Sequence, residues 1–136
     1  MAQMRLALAQ INPTVGDLSG NARAVREWTA KAAAAGAHLV AFPEMMLTGY
    51  PVEDLALHSS FVEASRTALK ELAIALVSDG HGDLPVIVGG IIPDRDAARL
   101  RALGVAAVYT PKDFGLTEIM GGIVDVIRAS RGLSAG

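Results

Sequence analysis

Four short apolar segments, separated by stretches long enough to form helices, constrain the fold of this chain more than any other feature. The segments are residues 5–11, 38–44, 84–90 and 105–110, and each has a proline or a glycine near its end. Short apolar runs that alternate with helical sequence are typical of parallel strands buried on both faces, joined by right-handed crossovers. The pattern therefore predicts an α/β fold.

The intervening stretches predict four helices, at about residues 17–35, 59–77, 93–103 and 116–130. Gly36 and Gly104 follow two of them, and glycine is a common helix stop. Helices on both sides of the sheet would give a three-layer sandwich of the flavodoxin-like or Rossmann-like kind. We predict a four-stranded parallel sheet in the order 2-1-3-4, within a single α/β domain that spans residues 1–136.

The loops after the strands are where a site is expected. In open parallel sheets, ligands bind beyond the carboxyl ends of the strands. In this chain those ends are the residue pairs Asn12-Pro13, Pro43-Glu44, Gly89-Gly90 and Thr110-Pro111.

The amino acid composition excludes several classes of function. The sequence contains no cysteine, which excludes disulfides, thiolate metal sites and a cysteine nucleophile. The net charge is −2, and one Trp, two Tyr and three Phe give no support for nucleic-acid binding. No apolar run reaches the roughly 18 residues of a membrane span, and polar residues interrupt the N-terminal segment. We expect a cytoplasmic protein that does not bind membranes. Its partner is expected to be a small molecule at most.

Three motifs mark the first part of the chain: "ALAQINPTVGDLSGN", "HLVAFPEMMLTGYPVEDL" and "GDLPVIVG". They resemble the carbon–nitrogen hydrolase (nitrilase) superfamily, and within it the amidase domains of glutamine-dependent NAD synthetases, over residues 1 to about 88. The resemblance implies that Glu44 is the general base and that Tyr50 shapes the pocket for the amide substrate. It also implies a lysine and a cysteine nucleophile later in the chain.

The sequence lacks part of the set of catalytic residues that this resemblance implies. A general base without a nucleophile does not make an acyl-transfer enzyme, and the sequence has no cysteine. Lys112, in "TPKDFGLTE", does not have the surroundings of the family lysine, while Lys31 and Lys70 fall on predicted helices and are interpreted as solvated. We therefore expect that the chain on its own is not an enzyme.

The second part of the chain reads "LPVIVGGIIPDRDAARLRALGVAAVYTPKDFGLTEIMGGIVDVIRAS". From about residue 84 to residue 136 it resembles the C-terminal part of the cobalamin-binding domain of methylmalonyl-CoA mutase-type acyl-CoA mutases. A Gly-Gly turn suits such a domain, because a backbone without side chains lets a ligand approach closely. The residues that the resemblance implies for the nucleotide tail of cobalamin are Gly89, Gly90, Tyr109, Thr110 and Pro111.

The cobalt-ligand loop of that family has no good counterpart in the sequence. The family carries an Asp-x-His-x-x-Gly motif after its first strand. Here Asp79-Gly80-His81 precedes a predicted strand, and Leu84 stands where the motif has glycine. We interpret the triplet as a polar turn and predict no metal site. No cofactor is certain, and cobalamin is left open.

The two resemblances meet at "LPVIVGG", where both families have a buried strand followed by glycine. The main hypothesis is a chimeric or recombined α/β domain, amidase-like over residues 1–88 and cobalamin-domain-like over residues 89–136, with no complete catalytic set. Two alternatives stay open: a residual cobalamin- or nucleotide-tail-binding module, and a carbon–nitrogen hydrolase that uses Glu44 as its base. Both segments consist of βα units and can share one core. Apolar surface left uncovered would favour self-association.

Overall fold

The structure, a computed structural model, describes residues 3–81 and 84–133, apart from the side chain of residue 81. Its strands are β1 (Leu6–Leu8), β2 (Leu39–Ala41), β3 (Ile87–Gly89) and β4 (Ala107–Tyr109), and its α-helices are α1 (Leu18–Ala34), α2 (Ser59–Leu76), α3 (Asp94–Ala102) and α4 (Leu116–Ser130). A 3₁₀ helix at Glu53–Leu57 precedes α2, and a π-helical turn at Val77–His81 follows it. None of the helices in the described ranges has the length and apolar character needed to cross a bilayer. The chain divides into two compact units, residues 1–72 and 73–136.

The first unit is a βαβ arrangement in which β1 and β2 run parallel, with Ala7 opposite Val40. Successive side chains of a strand point to opposite faces of the sheet. Ala9, just beyond β1, is buried, whereas Leu6 and Leu8 point to the other face and are 48% and 66% exposed. One face of this small sheet is therefore covered, and the other presents apolar side chains to solvent.

Helix α1 has the start and the end that its sequence predicts. The Asp17 carboxylate accepts a hydrogen bond from the Gly20 N–H at 2.9 Å, which caps the helix. Gly36 follows its end with a φ of 73°. The buried residues recur every three or four positions, and they are Asn21, Val25, Thr29 and Ala32. Two of these four are polar, which is uncommon on a helix face that packs against a core.

The second unit contains the parallel pair β3 and β4, with Val88 opposite Val108. Helices α3 and α4 both contact β4, and Val108 at the centre of β4 is 4% exposed. The adjacent Tyr109 points to the opposite face, where its hydroxyl donates to the Ile119 carbonyl of α4 at 3.4 Å. The buried apolar residues of this unit are Ala97, Leu100, Val105, Val108 and Ile127.

The α/β class and the parallel pairing are confirmed, but the predicted four-stranded sheet is not found within residues 3–81 and 84–133. Among the described residues the strands form two separate sheets, β1 with β2 and β3 with β4. These are two of the three neighbour pairs in the predicted order 2-1-3-4, and the pairing of β1 with β3 is missing from the described ranges. Each strand has three residues, fewer than the apolar runs suggested. An apolar run predicts that a strand forms, but not how many of its residues pair with a neighbouring strand.

Two adjacent glycines in α4 give a matched test of how this helix packs on β4. A Cβ at Gly122 would lie 2.5 Å from the Tyr109 hydroxyl oxygen, while one at Gly121 would meet no atom within 4 Å. We expect Gly121→Ala to stabilise the protein by about 0.5–1 kcal/mol through helix propensity. Gly122→Ala should lose this gain, because it displaces the Tyr109 hydroxyl from Ile119. Urea unfolding measures both changes, and equal stabilisation would contradict this packing.

Candidate functional site

The candidate site of the first unit lies in the loop that follows β2. Glu44 is exposed and begins a turn in which Met45 has a φ of 54°. The Gly49 N–H donates to the Met45 carbonyl at 2.8 Å, and the Thr48 hydroxyl donates to the same carbonyl at 3.4 Å. A non-glycine residue with such a φ is strained and persists where its surroundings hold it. The turn that carries Glu44 is thus closed by its own hydrogen bonds.

This turn packs against the loop that follows β1. The Gly16 N–H donates to the Thr48 carbonyl at 2.9 Å. Gly49 is buried and has a φ of 78°, and a Cβ on it would lie 2.5 Å from the Val15 Cα. Glycine tolerates both this φ and this close approach. The two loops therefore touch through backbone atoms.

Asn21 of α1 joins the two loops through its side chain, a role that none of the sequence motifs indicates. Its Oδ1 accepts from the Thr14 N–H at 2.9 Å, and its Nδ2 donates to the Thr14 and Leu47 carbonyls at 2.8 and 3.0 Å. The residue is 4% exposed. One signal was available in the sequence: Asn21 is in phase with Val25 on the inner face of α1, and a buried polar group needs partners.

The two residues that the amidase resemblance implies are both accessible to solvent. Tyr50 is 71% exposed. Glu44, at the start of the turn that precedes Tyr50, is also exposed. No hydrogen bond or ion pair engages the Glu44 carboxylate within residues 3–81 and 84–133. A carboxylate in this setting can accept a proton, but acyl transfer also requires a nucleophile beside it.

The candidate site of the second unit lies where the loops after β3 and β4 adjoin. The Gly90 N–H donates to the Tyr109 carbonyl at 3.1 Å, which extends the pairing of the strands. A Cβ at Gly89 would meet no atom within 4 Å, so the backbone is open on that side. Gly89, Gly90 and Pro111 are exposed. The glycine turn therefore leaves room for a ligand to approach the main chain.

The side chains of Tyr109 and Thr110 are committed to their own unit. The Tyr109 hydroxyl donates to α4. The Asp113 carboxylate accepts from the Thr110 N–H at 2.8 Å and from its hydroxyl at 3.3 Å, while the Lys112 N–H donates to the same hydroxyl oxygen at 3.3 Å. Two of the five residues implied to line a cobalamin tail thus turn their polar groups toward neighbours within the chain.

Lys112 forms an ion pair within the second unit. Its Nζ lies 2.8 Å from a carboxylate oxygen of Asp94, the first residue of α3. The hydrogen bond and the positive charge of Lys112 hold the pKa of the Asp94 carboxyl below its usual value. The two side chains are 74% and 79% exposed, so water screens the pair and its contribution to stability is small. These are the contacts of a solvated surface lysine.

Nothing in residues 3–81 and 84–133 supports metal binding. The described part of the chain contains no group of three or more His, Asp or Glu side chains that could hold a metal ion. The His81 side chain lies outside the described residues. Gly80 before it has a φ of 82°, a conformation common in turns, and the interpretation of residues 79–81 as a polar turn stays a prediction.

A groove of about 310 Å³ lies at the other end of the β3–β4 sheet, where the sequence analysis expected no site. Its walls come from the end of α2, the segments that lead into β3 and β4, and the end of α4. Of the residues that line it, Ser130 alone has a polar side chain, and its hydroxyl donates to the Ile127 carbonyl at 2.8 Å. The groove is lined by apolar side chains and main-chain polar atoms, and by no charged group.

Comparison with known proteins finds two kinds of relative. The carbon–nitrogen hydrolase family matches residues 5–111. The glutamine-dependent NAD(+) synthetase of Thermotoga maritima is 39% identical over 103 residues, or 76% of this chain, and that of Rhodobacter capsulatus is 51% identical over 79 residues, or 57%. The ethylmalonyl-CoA mutase of Cereibacter sphaeroides is 52% identical over 68 residues, or 50% of this chain. The chain spans 17%, 14% and 10% of these three proteins, respectively.

Both predicted resemblances are confirmed, and the stretches that carry them overlap. The synthetase similarity covers the N-terminal part and the mutase similarity covers other segments. The family match continues past residue 88 to residue 111, and stretches of 76% and 50% must share at least a quarter of the chain. The overlapping stretch is therefore compatible with both kinds of protein. Because the family match covers most of its length, the chain belongs to the carbon–nitrogen hydrolase family.

Proposed function

We propose that this chain is a chimeric member of the carbon–nitrogen hydrolase family that holds no complete catalytic set. Its amidase-like segment, residues 1–88, continues into a mutase-like segment, residues 89–136, within one α/β domain. The parent of the first segment is a glutamine-hydrolysing domain of an NAD synthetase. The parent of the second segment is the cobalamin-binding domain of an acyl-CoA mutase.

One observation carries this proposal: the turn that bears Glu44 is held by backbone contacts, yet the sequence has no cysteine to act with it. A general base works by taking the proton of a nucleophile, and without the nucleophile no acyl-enzyme can form. A hydrolase complete within this chain would need a substitute nucleophile. In the described ranges no hydroxyl group is hydrogen-bonded to Glu44, so this alternative gains no support from the geometry.

A residual cobalamin-binding module is the second candidate, and the similarity to ethylmalonyl-CoA mutases favours it. Gly89 and Gly90 supply an open backbone for it. Ligand sites also need a few convergent polar groups, and those of Tyr109 and Thr110 are engaged within the unit. The residues present therefore fit a nucleotide tail only in part, and no step of the proposed function involves cobalamin.

We also propose that the protein self-associates through exposed apolar side chains. Leu8, Ile91 and Phe114 are 66%, 92% and 91% exposed. Burying large apolar side chains against a second copy of the chain removes them from water, which favours association. Sedimentation velocity at increasing protein concentration should show a rising mean mass, and a constant monomer mass would overturn this proposal.

A tryptic peptide tests whether the two segments are joined in the expressed protein. Trypsin cleaves after Lys70 and Arg95, so the peptide from Glu71 to Arg95 crosses the boundary between the two segments. Mass spectrometry of the protein from the organism that carries the gene is expected to find this peptide. A peptide that starts at Glu71 and continues into a different sequence after Leu84 would refute the joining of the segments.

A further inference from the structure

We propose that Asn21 is a positioning residue, whose side-chain amide fixes the turn that carries Glu44. The inference rests on the proposed role of Glu44 as the base of the amidase-like segment. It concerns how the chain holds that residue in place before any reaction partner is present.

The position of Glu44 depends on its backbone. Its carboxylate has no hydrogen-bond or ion-pair partner within the described residues, so no side-chain contact there locates it. The strained φ of Met45, the next residue, persists only where its surroundings hold the turn. A contact from a more rigid element would add to the support that the internal hydrogen bonds give.

Asn21 makes such a contact, because it lies on helix α1 and bonds to both loops. Its amide satisfies the N–H and the carbonyl of Thr14 and the carbonyl of Leu47, with distances between 2.8 and 3.0 Å. Leu47 belongs to the turn of Glu44, and Thr14 belongs to the loop that Gly49 touches. Sites supported from helices are placed more accurately than sites supported by loops alone. At 4% exposure, water cannot readily replace these bonds.

The variants Asn21→Ala, Asn21→Asp and Val25→Ala separate positioning from general stability. Asn21→Ala removes all three bonds. Asn21→Asp keeps an acceptor for the Thr14 N–H but places a carboxylate oxygen against two carbonyl oxygens. Val25, one turn further along the same buried face, is 8% exposed, so Val25→Ala weakens the core while keeping the Asn21 amide that bonds to the two loops.

Cleavage of the folded, full-length chain by a glutamate-specific protease reads out the turn. The rate at Glu44 is compared with the rate at Glu118, which is exposed in the other unit. Local opening exposes one site, whereas global unfolding exposes both. We expect Asn21→Ala and Asn21→Asp to raise the ratio of Glu44 to Glu118 cleavage at least about tenfold, and Val25→Ala to leave it unchanged. An equal ratio in all three variants would overturn the proposal.

A measurement on the unchanged protein covers the case in which the Asn21 variants do not fold. The Thr14 N–H should exchange with solvent at least about 100-fold more slowly than in an unfolded chain, because Asn21 accepts its hydrogen bond. Exchange at the unfolded rate would also overturn the proposal. Neither readout depends on catalysis, so a failure here leaves the proposed function standing, and amide hydrolysis by the chain would leave this inference standing.

Discussion

Replacing Gly49 with alanine is expected to destabilise the protein by about 2–5 kcal/mol, a large effect for one methyl group. Two costs add. A φ of 78° is unfavourable for alanine by about 1–2 kcal/mol. A Cβ placed 2.5 Å from the Val15 Cα also forces two backbone segments apart, at a cost of about 1–3 kcal/mol. Since domains are stable by only about 5–15 kcal/mol, this loss would be a large share of the folding free energy.

Gly80→Ala is the matched control for this substitution. Gly80 has nearly the same φ, 82°, but a Cβ there would meet no atom within 4 Å. Only the cost of the backbone conformation remains, and the expected loss is about 1–2 kcal/mol. Urea unfolding followed by circular dichroism gives both values. Equal losses at the two positions would mean that Gly49 does not touch the loop of Val15.

Leu100→Ala is expected to cost about 3 kcal/mol, because Leu100 is 8% exposed in the core of the second unit. Leu116→Ala, at a position that is 73% exposed, should cost less than about 1 kcal/mol. Urea unfolding followed by circular dichroism measures both changes. We expect a clearly lower unfolding midpoint for Leu100→Ala than for Leu116→Ala, and equal midpoints would contradict the burial of Leu100.

This expectation follows from the small cores of the two units. No side chain among the described residues is less than 2% exposed, and each unit has a sheet of two strands. Two-stranded sheets and chains of about 60–70 residues are only marginally stable alone. A loss of about 3 kcal/mol is therefore a large share of the stability that a core of this size can supply.

Local signals made part of the fold predictable. The Asp17 cap and the Gly36 stop of α1 depend only on residues within one turn of the helix ends. Such local features can be predicted from the sequence. The parallel pairs β1–β2 and β3–β4 follow from the short βα units between them. Whether β1 pairs with β3 depends instead on contacts between segments distant in sequence, which hydrophobic periodicity does not encode. The prediction of one four-stranded sheet went beyond what these signals support.

The candidate site was predictable in its location but not in its support. The carboxyl ends of the parallel strands predicted where to look for a site, and the amidase resemblance implied Glu44 within the loop after β2. The roles of Asn21 and Gly49 depend on two loops from different parts of the sequence meeting, as Thr14 and Leu47 do through Asn21. A polar residue in phase with the buried face of α1 was the one visible sign of that contact.

Release of ammonia from glutamine measures most directly whether these 136 residues hold a base without its nucleophile. The purified chain is compared with Glu44→Gln under the same conditions. We predict that neither protein releases ammonia faster than buffer alone, because the step that needs a cysteine cannot occur. Release above the buffer rate that falls about 100-fold in Glu44→Gln would contradict this.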